Sequence, residues 1–186
     1  MEKKQPANDE NWPAVQAGDI FDSGVNYNGS FEVLRSYLGN EFLHENVRAK
    51  GGAYGCFPIL DSISGAFAFV SYRDPNVAST FKTFNDVPNA IKKISLSERS
   101  LEQLIIGTYG NFDPLLSPYM QGIRARNRFL THSSTDFLYN ILSEIKSTTV
   151  NFVVHSFRDF ETIYQRYFLK PGAQIFIDFG WDTGEL

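Results

Sequence analysis

Two side chains able to polarise a carbonyl, Arg48 and Tyr54, flank the glycine pair in Arg48-Ala49-Lys50-Gly51-Gly52-Ala53-Tyr54-Gly55. Arginine offers a charged, forked set of N–H donors, and tyrosine a neutral hydroxyl donor. Aimed at one oxygen, the pair suits a peptide carbonyl or a developing oxyanion. Gly51 and Gly52 belong to the same candidate site, because glycine lets the backbone take positive φ and approach another chain without a Cβ in the way. A purely structural reading stands beside this one, with Arg48 closing a helix and Tyr54 half-buried in a sheet. Spacing alone does not choose between them.

Other chemistries have less behind them. The histidines His44, His132 and His155 stand far apart, and none belongs to an H-x-x-x-H or H-x-x-E-H pattern. No serine sits in a G-x-S-x-G elbow. The glycine corner lacks the G-K-[S/T] of a phosphate loop and follows a helix pattern instead of preceding one. The single cysteine, Cys56, excludes an internal disulfide and a multi-cysteine zinc site. Beside Phe57 in a strand pattern it reads as a small buried residue, with a reactive thiol as the minority reading.

The elements that must hold Arg48 and Tyr54 follow from periodicity. A short strand spans Val15 to Phe21, and Gly24 to Gly29 carry turn chemistry. Ser30 caps an amphipathic helix with Phe31, Leu34, Leu38, Phe42, Leu43 and Val47 on its apolar face, ending near Arg48. Beyond the corner, Ala53 to Leu60 and Ala66 to Tyr72 form a hairpin around residues 61–65, and the nearly all-apolar second strand predicts cover on both faces. Asp74-Pro75-Asn76 opens a helix bearing Val77, Phe81, Phe84 and Val87, with a kink or stop at Pro88. A third helix starts at Ser97 and ends at Gly107 or Gly110; two more run from Ser117 to Leu130 and from Ser134 to Lys146. Val150 to Val154 reads either as a strand or as the start of a helix through Phe168, and Ala173 to Phe179 alternates like a strand. The order implies an α+β domain, with helices packed on a mainly antiparallel sheet.

At 186 residues, with 42% hydrophobic and 15% aromatic content, the chain can bury a real core as one domain. A net charge of −4 gives no global reason to expect nucleic acid, and Arg124, Arg126 and Arg128 read as one solvated helix face. No apolar run approaches the ~20 residues that span a bilayer. Met1 to Asn11 lacks a signal-peptide or transit-peptide pattern. The chain therefore reads as cytoplasmic, or as a piece of something larger.

Three ordered motifs carry a resemblance: Ala17-Gly18-Asp19 through Tyr27-Asn28-Gly29-Ser30, Val47 through Gly55, and Ser71-Tyr72-Arg73-Asp74-Pro75-Asn76. Ile105-Ile106-Gly107-Thr108 and Asp113-Pro114-Leu115, with Pro118 and Gly122, continue it. Over residues 15–148 the chain resembles the C-terminal region of presequence-protease-type metallopeptidases, inverted-zinc-motif relatives of insulysin and pitrilysin. The resemblance implies a pitrilysin-like α+β fold. It also implies an enzyme whose two halves close over an extended peptide, with zinc held by an H-x-x-E-H domain that this chain lacks.

By motif, Arg48 and Tyr54 match the Arg and Tyr that such enzymes bring to the substrate carbonyl from their last domain. The chain is thus expected to bind peptide without a cofactor of its own and without hydrolysing it alone. Its expected partners are the missing zinc-binding half or a second copy. The resemblance divides the chain into a flexible lead (1–12), a peptidase-like portion (13–148) that is an incomplete copy of the family domain, and a strand-rich tail (149–186). The tail's Phe157-Arg158-Asp159-Phe160 and Phe176 to Trp181 resemble phage tail or baseplate segments, which keeps a structural or assembly role as the alternative.

Overall fold

Burial along β3 (Ala66–Tyr72) alternates residue by residue: Phe67, Phe69 and Ser71 are buried, while Ala66 and Tyr72 are exposed. That period of two is the signature of a sheet with one covered face. The computed structural model describes residues 13–21, 24, 26–149 and the short strand at 174–176. Its sheet has the order β2-β3-β1-β4, with β1 at Ala14–Asp19, β2 at Gly55–Leu60 and β4 at Gln174–Phe176. All three pairings are antiparallel, with Gln16 opposite Phe69, Pro58 opposite Phe69 and Val15 opposite Ile175.

The covered face of β3 meets helices. Phe69 packs edge-on to Phe67 at 5.0 Å and against Phe84 of α2 (Val77–Lys92) at 5.3 Å. On the opposite face stand Ala68, Val70 and Tyr72 of β3, with Phe57 and Ile59 of β2, all half-buried or exposed. The two-sided cover expected for β3 is therefore corrected, among the described residues, to one side. The apolar run misled because Ala66, Ala68 and Val70 are small enough to tolerate water without a covering layer.

The helix expected from Ser30 to Arg48 is present but changes pitch. Residues Ser30–Tyr37 form α1, and Leu38–Ala49 continue it as a π-helix. The buried positions Leu38, Leu43 and Val47 include a step of five, which an i→i+5 turn keeps on one face. Gly39 lets this helix lie close on β2, since a Cβ there would stand 3.0 Å from Pro58 Cδ. Ser30 is the first helical residue, not the cap: the Gly29 N–H donates to Glu144 Oε2 at 2.7 Å and the Ser30 N–H to Asn28 Oδ1 at 2.9 Å.

Three further helices, α3 (Glu98–Phe112), α4 (Pro118–Leu130) and α5 (Thr135–Lys146), begin at Ser97, Ser117 and Ser134, whose hydroxyls each accept a backbone N–H three residues on. That is ordinary N-capping. Two expected stops are corrected. Helix α2 runs through Pro88 to Lys92 with Pro88 buried, because tertiary packing of Val87 and Ile91 outweighs the lost bond. Helix α3 runs through Gly107 and Gly110, where no heavy atom lies within 4 Å of an added Cβ and φ is not positive.

Helix α1 packs against α3 and α5. Polar ties reinforce these contacts: the Thr148 hydroxyl donates to Ser30 Oγ at 3.0 Å and that of Thr108 to Ser36 Oγ at 2.9 Å. Buried Glu32 accepts from the Tyr27 hydroxyl at 2.9 Å and from Arg35 Nε at 2.6 Å. Burial, reinforced by the Glu32 charge, pushes the Tyr27 hydroxyl pKa far up, so it stays a donor. The expected readings of Val150 to Phe168, His155 and most of the tail lie outside the described residues; of the expected 173–179 strand, Gln174–Phe176 is described.

Candidate functional site

The π-helix ends at the glycine corner in a way its pitch dictates. The Gly52 N–H donates to Arg48 O at 3.0 Å and the Ala53 N–H to Val47 O at 3.1 Å. Each bond reaches one residue further than in the Schellman ending of an α-helix. Gly52 supplies the left-handed residue at φ +82°, and buried Ala53 is the apolar contact that seats the chain after it. A Cβ on Gly51 would stand 2.5 Å from Val47 O. Both glycines are thus required by local backbone geometry. Gly52→Ala is expected to cost about 1 kcal/mol from its left-handed φ alone, and Gly51→Ala more, because its Cβ meets a backbone oxygen. Urea unfolding of the two variants measures the order.

Arg48 and Tyr54 emerge on either side of this corner, and both are exposed, Tyr54 by 67%. Among the described residues no ion pair or hydrogen bond holds the Arg48 side chain. Tyr54 is not half-buried in the sheet, as its structural reading had it. Its N–H donates to Tyr72 O at 3.1 Å and Arg73 O at 3.2 Å, which pins the start of β2 to the end of β3. Its ring meets Tyr72 edge to face at 6.0 Å.

The turn from β3 into α2 braces the corner from below. Asp74 is fully buried and accepts from the Ser71 hydroxyl and the Asn76 N–H, each at 2.8 Å. Ser71 Oγ in turn accepts the Ala14 N–H at 3.1 Å. The Asn76 side chain then donates from Nδ2 to Gly51 O at 2.8 Å, tying turn and corner together. Cys56, opposite Ser71 in the β2–β3 register, is half-buried; burial and then the Asp74 charge push its thiol up to about 12. A thiol so protonated is a poor nucleophile, which agrees with the core reading of Cys56.

Arg48, Gly51, Gly52 and Tyr54 are the site residues expected from the sequence; Arg73, there only a member of a turn motif, has its guanidinium carbon 5.9 Å from the Tyr54 ring centroid and 5.5 Å from that of Tyr72. The turn residues around it were visible; its left-handed backbone, φ 48°, was not.

Elsewhere, His44 and His132 are exposed. Among the described residues no three His, Cys, Asp or Glu side chains gather where a metal could bind, and no helix is long and apolar enough to cross a membrane. A groove of ≈ 620 Å³ runs between α4, α5 and the β2–β3 loop, lined by Ile63, Met120, Ile123, Arg124, Arg128 and Phe137. Arg124 and Arg128 are half-buried in it, so only Arg126 fits the solvated face expected of these arginines.

The family model described as the PreP C-terminal domain matches residues 11–168. Presequence protease 1 of Arabidopsis thaliana, chloroplastic/mitochondrial, is 32% identical over 145 residues, which are 78% of this chain and 13% of that protein. Protein HypA of Clostridium perfringens is 32% identical over 146 residues, 78% of this chain and 14% of that protein. The chain thus spans about an eighth of the length of these relatives. Among solved structures, the inactive peptidase domain of a Bordetella parapertussis protein assigned as a zinc protease superposes with a TM-score of 0.65 at 11% identity, covering 95% of each chain. The periplasmic protease PqqL from Escherichia coli superposes with a TM-score of 0.56 at 15% identity, covering 81% of this chain and 18% of that one. These likenesses show the pitrilysin-like fold.

Proposed function

The chain belongs to the PreP C-terminal domain family, and from that premise we propose that it is the peptide-binding, metal-free portion of a presequence-protease-type peptidase. The Arg48 guanidinium and the Tyr54 hydroxyl donate to one backbone carbonyl of an extended peptide. Both hydrogen bonds would strengthen as charge develops on that oxygen. The observation that carries the reading is the exposure of both side chains at a corner whose glycines and buried Asp74 turn are rigidly determined. The neighbouring strand β2 ends the sheet among the described residues, so its outer backbone is available for strand pairing with such a peptide.

The described residues do not assemble zinc ligands. Attack on the carbonyl belongs to another part of a longer polypeptide or to a partner chain. That partner is also proposed to cover α4, which leaves Tyr119, Met120, Phe129 and Leu130 exposed. The compartment is part of the proposal as well: the sequence reading gives the cytoplasm, whereas the name of the Arabidopsis relative places that protein in chloroplasts and mitochondria.

Titration of a fluorescent extended peptide is expected to saturate with the wild type. Arg48→Ala should weaken it about tenfold and Tyr54→Phe about threefold, from the loss of a charged and a neutral hydrogen bond. No saturable binding, or binding indifferent to both substitutions, would leave the scaffold role instead.

A further inference from the structure

Arg73 is the member of the β3–α2 turn that the peptide reading leaves without a task. Its φ of 48° puts an L-residue in the left-handed region, where glycine would be at ease and a side chain with a Cβ is resisted. That conformation lays the guanidinium beside two rings, 5.9 Å from the Tyr54 centroid and 5.5 Å from the Tyr72 centroid. The rings meet at 82°, and the backbone of the same turn takes the Tyr54 N–H. One turn therefore grips Tyr54 by its backbone and by its ring. The turn is itself fixed, by Asp74 to Ser71 and by Asn76 to Gly51.

We propose that Arg73 is a positioning residue for Tyr54. Its cation, held against the faces of both tyrosines, confines the exposed Tyr54 ring so that its hydroxyl meets the peptide carbonyl together with Arg48. The proposal rests on the peptide reading for its purpose, but the confinement of the ring can be measured without any peptide.

Three variants separate the contributions. Arg73→Gly removes the cation and relieves the left-handed backbone, Arg73→Met removes the cation alone, and Arg73→Lys keeps a charge. Ring signals of Tyr54, assigned in the NMR spectrum by comparison with Tyr54→Phe, report ring order. Arg73→Gly is expected to melt no lower than wild type while its Tyr54 ring signals shift toward averaged values. The affinity for the labelled peptide should then fall about threefold, the worth of an exposed cation–π contact. Adding Tyr54→Phe to Arg73→Gly should cost nothing further, and Arg73→Lys should retain most of both properties. Unchanged Tyr54 ring signals in Arg73→Gly and Arg73→Met, or an Arg73→Lys variant no better than Arg73→Met, would overturn the proposal. A wild type that binds no peptide would overturn the peptide reading while the ring signals still decide this one.

Discussion

Phe69→Ala is expected to lower the free energy of unfolding by about 4 kcal/mol, the middle of the range for truncating a buried aromatic. Phe69 lies on β3, between β2 and β1 in the sheet, and is wholly buried. Its ring contacts Phe67 on the same strand and Phe84 on α2. Truncation therefore opens a cavity at the seam where α2 lies on the sheet, and a seam between a strand and a helix collapses poorly. Phe69→Leu, which keeps more of the volume, should cost less than half as much. Urea unfolding followed by circular dichroism measures both. Similar losses for Ala and Leu would mean that the seam repacks around the lost ring and that Phe69 does not anchor α2 to the sheet.

Asp74→Ala is expected to cost about 2–3 kcal/mol, since it strands a buried hydroxyl and a backbone N–H. Ser71 and Asn76 both donate to this carboxylate, and Asn76 also holds Gly51 O. The loss should therefore spread from stability to the corner, and weaken peptide binding even though Asp74 is buried beneath it. Asp74→Asn keeps one carbonyl oxygen as acceptor and offers an amide where the second oxygen stood. It should fall between Ala and wild type in both measurements. If Asp74→Ala unfolds at wild-type urea concentrations, the turn does not brace the corner.

Much of this architecture is legible in the amino-acid order. A nearly unbroken apolar run between the Asp61–Gly65 loop and the Asp74-Pro75 turn places β3 at its observed bounds, Ala66–Tyr72, although it does not show which face is covered. Three serines mark the starts of α3, α4 and α5 by capping chemistry alone. The glycine corner is legible as a corner because Gly52 must be left-handed and Gly51 must lack a Cβ.

What escaped depends on contacts distant in sequence. The π-helix shows only as a five-residue step between Leu38 and Leu43, which reads as noise in an α-helical pattern until β2 is seen beneath it. Pro88 and the glycines of α3 are breakers by local propensity, and packing elsewhere in each helix overrides them. Arg73 escaped for a similar reason. Its neighbours Asp74 and Pro75 announce a turn, but the Tyr54 ring it touches belongs to the glycine corner, distant in sequence.

An extended peptide is expected to bind at the corner, through Arg48 and Tyr54. Amide chemical shifts of the full chain, followed while an unlabelled extended peptide is added, test it most directly. Saturable shifts are expected over Arg48–Leu60 and Tyr72–Asn76, with about thirtyfold more peptide needed in the Arg48→Ala, Tyr54→Phe double variant. Saturable shifts centred on the α4 groove with the corner unmoved, or no shifts at millimolar peptide, would contradict it.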